Sequence, residues 1–297
     1  MSLYSGNALA PPLHRQRDPG FDLDLGRMGP RLKRETVMRV EYLYRYPVKG
    51  LTAEALEAAE VEPNGCIPWD RAFALAQGDA GFDPAAPRWL QKANFMCQAR
   101  NAKAAALASV FEPRDGTLTI RAPDGSPGGS PGGSTISANA LSLSGRAEIA
   151  AFLIKYLGDE VRGTPSFHHV DGHSFCDQRD KVISLINIAS LHDFEAKVGA
   201  RRHRRRFRAN VWFSGAAPWS ERAWIGQQIQ LGGAVLRITR STVRCPATQV
   251  NPETAERDAD PVEELRGLYG HTELGFHGQV ISGGRFALGD AIELLGD

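Results

Sequence analysis

From about residue 38 onward, apolar and polar positions alternate in short bursts separated by turn formers, the pattern of strands half buried in a sheet. Residues 39–46 alternate and stop at Pro47, residues 55–61 close at Pro63-Asn64-Gly65, and residues 71–76 end in Gln77-Gly78-Asp79. Residues 107–112 and 117–121 flank Asp115-Gly116, a pair suited to the tight turn of a hairpin. Five strands with no long helix between them predict a small barrel or sandwich. Residues 123–134 carry Ser-Pro-Gly-Gly twice in succession, which cannot form a core and predicts a flexible loop. A helix over 145–157 follows, capped by Ser144, with Ile149, Leu153 and Leu157 on one face and Gly158 as its stop.

A second β-rich unit opens near Gly163. Residues 181–186 read as a buried strand running into a helix at 188–198, which Gly199 ends. Further strands are predicted at 207–213, 225–231, 234–240, 279–281 and 291–295, with a short helix at 262–268. The fold class is therefore β-rich α+β with few helices. Four segments are expected: a mobile N-terminal extension (1–37), a small β-barrel-like domain (38–137), a connecting helix (138–162) and a second β domain (163–297). The extension is set apart by its Pro-Gly turns and the absence of any apolar period.

Composition narrows the function. With 42% hydrophobic and 23% charged residues and a net charge of +1, the chain reads as an ordinary globular protein whose bulk charge favours neither nucleic acid nor membrane. No apolar run approaches the roughly 18 residues that a membrane span needs. Cys66, Cys97, Cys176 and Cys245 are scattered, without a C-x-x-C pair, so neither a disulfide framework nor a structural zinc site is expected. A reducing, cytoplasmic setting fits this use of cysteine. The same spacing leaves the chain without an iron–sulfur centre of its own, and no haem or flavin motif is visible.

The stretch 234–252 carries the candidate chemistry. A strand entered through Gly232-Gly233 delivers Arg244, Cys245 and Pro246 to a bend, with Arg240 close by in sequence. Positive potential enriches a thiolate, which is both the nucleophile and the metal ligand. On these residues alone Cys245 is either such a thiolate or a small buried hydrophobe. His168, His169 and His173 lie close together but lack carboxylate partners in a recognised order, and are expected in an exposed polar loop. The basic run at 201–206 is expected to be, for most of its arginines, a solvated loop.

Four clusters in order, Tyr46-Pro47-Val48-Lys49, Asp70-Arg71, Phe207-Arg208-Ala209-Asn210 and Arg244-Cys245 with Asn251-Pro252, resemble the MOSC family, the molybdenum cofactor sulfurase C-terminal domain. Trp219, Glu221, Trp224 and Gly226 fit the family's intervening pattern, and the resemblance runs over residues 38–296, including the family's N-terminal β-barrel domain. It is similar to stand-alone bacterial members and, more remotely, to the mitochondrial amidoxime-reducing component. The resemblance implies a molybdenum cofactor (molybdopterin) whose metal is ligated by Cys245. It also implies that Lys49 and Arg71 reach the cofactor from the N-terminal domain, and that Arg208, Asn210 and Arg244 belong to the cofactor-binding set. Arg208 and Asn210, two apart on a predicted strand, would share a face.

Departures bear on this carry-over. Gly50 and Ala209 replace a Ser and a Pro common in the family, Asn251 stands where Asp is frequent, and residues 175–181 do not match the Asp-Thr-Ser that helps bind phosphate in the mitochondrial relatives. The phosphate is then left to Lys181, Ser184 or part of the 201–206 run. The implied activity is an oxidoreductase acting on N-hydroxylated or related small-molecule substrates, with electrons from a separate redox protein. The alternative is a non-catalytic carrier of the cofactor, or of sulfur as a Cys245 persulfide.

Overall fold

The computed structural model describes residues 37–125 and 133–296. The expected extension up to residue 36 and most of the Ser-Pro-Gly-Gly repeat lie outside the described residues. Within them run fifteen strands: β1 (Met38–Arg45), β2 (Glu54–Ala55), β3 (Ala58–Val61), β4 (Phe73–Ala76), β5 (Ala108–Glu112), β6 (Thr117–Arg121), β7 (Thr135–Asn139), β8 (Ser166–His169), β9 (Ile183–Asn187), β10 (Val211–Ser214), β11 (Gln228–Leu231), β12 (Ala234–Val243), β13 (Glu273–Ser282), β14 (Gly284–Ala287) and β15 (Ala291–Leu295). Three α-helices accompany them: α1 (Leu143–Leu157), α2 (Ile188–Val198) and α3 (Pro261–Tyr269).

The alternating segments of the C-terminal half pair in the order β10-β9-β13-β12-β11-β15-β1, and β1 returns to β10 to close a seven-stranded barrel. Strand β1 belongs to the N-terminal part of the sequence, yet it is the closing stave, pairing Val40 with Phe213, Leu43 with Val211 and Met38 with Ile292. Closure leaves no unpaired strand edge in the barrel. The parallel pair β9/β10 needs a crossover, and α2 supplies it. Inward positions of these strands fill the core with Val40, Leu43, Leu185, Phe213, Ile229, Leu236, Ile238 and Phe276.

A second core lies in the N-terminal part. The meander β5-β6-β7 turns at Asp115-Gly116, where the Asp115 carboxylate accepts from the Thr117 amide at 2.9 Å and Gly116 has φ 76°. The buried face of this meander, Phe111, Leu118 and Ile120, packs with Ile149, Leu153 and Leu157 of α1 and with Phe73 and Phe167 of the β4/β8 pair. The whole is β-rich with few α-helices.

Local chemistry shifts several expected boundaries. Ser142, not Ser144, caps α1: its hydroxyl accepts from the Gly145 amide at 3.0 Å. The segment 207–213 is not one strand, because Arg208 takes a left-handed conformation at φ 52° and only Val211–Ser214 is extended. Arg208 and Asn210 therefore flank a corner instead of sharing a strand face. His168 and His169 sit in β8, paired with Ala74 and Phe73, and so are not in a loop. Among the described residues no helix is long and apolar enough to cross a membrane.

One buried polar cluster ties α2 to the segment 220–224. Glu221 is 2% exposed and accepts from Asn187 Nδ2 at 3.0 Å and Ser190 Oγ at 2.6 Å. Burial pushes its carboxyl above the usual carboxylate range, against these two donors. Glu221→Ala strands both donors, and unfolding in denaturant is expected to show a loss of about 1–3 kcal/mol. Because the folded value is raised, the wild type's advantage is fullest below the ordinary carboxylate range and declines as pH rises through that raised value.

Candidate functional site

A cleft of about 460 Å³ lies where loops of the N-terminal part meet one end of the barrel, with Cys245 in its wall. Strand β12 ends at Val243, and Cys245 keeps an extended backbone before Pro246 opens a 3₁₀ turn. The bend is fixed by Thr248, whose amide and hydroxyl donate to the Cys245 carbonyl at 3.0 and 2.9 Å. Arg244 turns away from the thiol: Nε donates to the Leu274 carbonyl and Nη1 to the Phe207 carbonyl, each at 2.8 Å. Burial pulls its guanidinium down to about 10, against the charge of Cys245 and Tyr46.

The cation beside the sulfur is Lys92, from the short 3₁₀ segment Lys92–Asn94. Burial alone would lower its ammonium, but the charge of Cys245 and a hydrogen bond to it, with a smaller contribution from Asp177, leave it raised. Arg240, expected from sequence near the thiol, instead pairs with Asp180 at 3.4 Å and is not in the cleft wall.

Across the cleft, Lys49 follows β1 and is 5% exposed; its Nζ donates to the Phe175 carbonyl at 2.8 Å and pairs with Asp177. Burial would raise the Asp177 carboxyl, but Lys49, with Lys92 and Arg71, brings it below its ordinary value. Arg71 pairs with Asp70 and donates to the Arg208 carbonyl at 3.0 Å. The guanidiniums of Arg71 and Arg208 each lie 4.4 Å from the centre of the buried Tyr46 ring. Burial pushes the Tyr46 phenol up to about 12, with both arginines opposing, and its hydroxyl donates to the Ala209 carbonyl at 3.1 Å.

Arg208 differs from its neighbours. Its Nη1 donates to the Leu51 carbonyl at 2.6 Å, and among the described residues no carboxylate lies within ion-pair distance of it. Burial, then the like charge of Arg71 beyond the compensating Tyr46, pulls its guanidinium down to about 10. A cation of this kind, facing a cleft, lacks a counter-anion.

Asn210 and Ser184 also line the cleft and hold each other. The Asn210 carbonyl accepts from the Ser184 hydroxyl at 2.8 Å and amide at 3.1 Å, while its Nδ2 donates to the Tyr44 carbonyl at 3.2 Å. This ladder pins the Arg208 corner to β9. Lys181 is not in the cleft wall; its charge acts on Cys66 and His173.

The basic run is not a solvated loop. Arg201 pairs with Glu195, Arg202 with Glu264, and Arg204 stacks 3.7 Å from the Tyr42 ring. Arg206 alone of the run lines the cleft; it pairs with Asp258 and donates to the Gln249 carbonyl at 2.9 Å, stapling the turn that follows Cys245.

The cleft thus brings together Lys49, Arg71, Ser184, Arg208, Asn210, Arg244 and Cys245, and leaves out Lys181. Sequence reasoning missed Trp89, Lys92, Cys97, Cys176, Asp177 and His277. Trp89 and Lys92 come from a stretch with no apolar period, and Cys97 and Cys176 had no spacing to set them apart; burial raises both thiols. Only the pairing of Lys49 with an acid could have been anticipated from charge. Among the described residues no three His, Cys, Asp or Glu side chains converge as a metal cluster.

Three thiols, Cys97, Cys176 and Cys245, thus line a cation-rich cleft at one end of the barrel. Residues 161–293 match the MOSC domain and residues 37–160 the MOSC N-terminal beta barrel domain, so the chain belongs to the MOSC family. No curated protein shows a significant match. Two solved structures are similar at 16% identity. The YuaD protein from Bacillus subtilis covers 87% of this chain and 95% of its own, with a TM-score of 0.39. YiiM from Geobacillus stearothermophilus covers 38% of this chain and 54% of its own, with a TM-score of 0.31.

Proposed function

We propose that the cleft holds a molybdenum cofactor, with Cys245 as the protein's ligand to the metal. On this reading the protein is an oxidoreductase that reduces N-hydroxylated or related small substrates with electrons from a separate redox protein. The observation that supports it best is Arg208, a cation without a carboxylate partner facing the same cleft as the thiol. The donor set fits the group: a soft thiolate suits a metal already held by sulfur, and a terminal phosphate suits a guanidinium that lacks an anion.

When bound, the cofactor supplies two-electron chemistry at molybdenum. The chain's own part is to place and hold. Arg208 would take the anionic end, with Arg71 beside it already half neutralised by Asp70. Lys92, hydrogen-bonded to the Cys245 sulfur, would help to hold that ligand in place. Lys49, held by Asp177 and the Phe175 carbonyl, would present a fixed donor edge.

Metal analysis of the protein purified from a molybdenum-replete, cofactor-competent host tests the reading, followed by turnover with an artificial electron donor. Stoichiometric molybdenum with turnover is the expected result. Molybdenum without turnover would favour a carrier, and protein free of molybdenum would overturn the assignment.

A further inference from the structure

Next to the arginines and the thiol, the cleft wall holds, on β12 and β13, two further buried polar atoms without a hydrogen-bond partner among the described residues. His277 on β13 is 7% exposed, lines the cleft, and its Nδ1 is buried without a hydrogen-bond partner. Thr242 on β12 also lines the cleft, and its Oγ1 is likewise buried and unpartnered. Arg240, directly across the β12/β13 register from His277, has a buried, unpartnered Nε although its Nη2 reaches Asp180. Irregularities in β12 between Ile238 and Arg240 and between Ser241 and Val243 frame these residues, and such bulges re-aim side chains.

Buried polar groups in folded proteins are almost always satisfied, so three orphans on adjacent strands call for a ligand. The nature of that ligand follows from the donors. An arginine Nε–H can only donate, whereas a threonine hydroxyl and a neutral imidazole nitrogen can each donate. The chemistry common to all three is an acceptor. The charges acting on His277 are Arg244, Arg240 and Arg71 on the positive side and Asp177 on the negative. Burial and those arginines push its imidazole down to about 3, so His277 is neutral and adds no charge of its own. A cationic ligand is disfavoured here, and an anionic oxygen is favoured.

We propose that Thr242 and His277 form a subsite for a small oxyanion in the Cys245 cleft, a carboxylate being the simplest case, with Arg240, outside the cleft wall, contributing positive charge from across the strand register. As a statement about substrate it rests on the cofactor reading, and it narrows the substrates to those carrying an acidic oxygen group. The binding itself needs no cofactor.

Acetate is the probe. The His277 imidazole resonance of isotopically labelled full-length protein is followed during titration with sodium acetate, against sodium chloride at equal ionic strength. The expected result is a saturable shift with acetate alone. Thr242→Val, which swaps the hydroxyl for a methyl of equal size, should weaken the dissociation constant by about tenfold. Should that variant not fold, Arg240→Gln should weaken it likewise. Arg208→Gln should leave the acetate response of His277 within about threefold, since it removes a charge of the cofactor cradle and no hydrogen bond of the subsite. No saturable shift, an equal response to chloride, or an unchanged constant in Thr242→Val and Arg240→Gln would show that the orphans are met by bound water alone and overturn the subsite. Failure to load molybdenum leaves this titration unaffected and counts only against the cofactor reading. Loaded protein with the same KM for acidic and neutral substrates, unchanged in Thr242→Val, would overturn the substrate assignment and leave the cofactor reading standing.

Discussion

Cys245→Ser is expected to strip the protein of molybdenum while leaving its melting temperature within a few degrees of wild type. The exchange barely changes volume, but it replaces a soft sulfur donor by a hard and largely protonated hydroxyl. Cys245 is only partly buried and opens onto the cleft, so a serine there meets solvent. The fall in bound metal should exceed the roughly 10–100-fold that losing a supporting residue around a metal costs. The suitable control is Cys66→Ser, because Cys66 lies outside the cleft wall whereas Cys97 and Cys176 line it. If Cys245 were a packing residue the pattern would invert, with stability down by about 1–3 kcal/mol and metal unchanged. Equal molybdenum in wild type and Cys245→Ser, expressed in the same host, would rule out ligation as an essential part of binding.

Many of the strands were legible in the sequence because their information is local. Alternation marks β11 and β12, Asp115-Gly116 marks a hairpin, and Gly199 marks the end of α2. The return of β1 to close the barrel was not legible, since a pairing between Val40 and Phe213 leaves no trace in either segment alone. The corner at Arg208 was missed for a different reason. Nothing in Phe207-Arg208-Ala209-Asn210 demands a left-handed residue, and the conformation is imposed by the Asn210–Ser184 ladder and the Leu51 carbonyl. The motif residues Lys49, Arg71, Arg208 and Cys245 could be named from their order in the chain. Lys92 and His277 could not, because their environment exists only once the loop 77–101 and the β12/β13 bulges are folded against the same cleft.

That environment bears on stability as well as binding, and Arg208→Gln separates the two. In the folded protein the guanidinium is disfavoured by burial and by Arg71, and the more weakly acting charges of Tyr46, Asp177 and Asp70 offset this only in part. A neutral amide removes this penalty but gives up the hydrogen bond to the Leu51 carbonyl and the contact with Tyr46. These changes oppose each other, so the melting temperature of protein without ligand is expected to stay level or rise by a few degrees. Binding should move the other way. Losing one charge-assisted hydrogen bond to an anionic ligand costs about 1.5–3 kcal/mol, a drop of roughly 10–100-fold in affinity, read as molybdenum content under limiting cofactor. A residue kept for structure would show the opposite signs. A melting temperature lowered by about 5 °C or more with molybdenum retained would make Arg208 a staple of the Tyr46 corner and would remove the main support for an anionic ligand in this cleft.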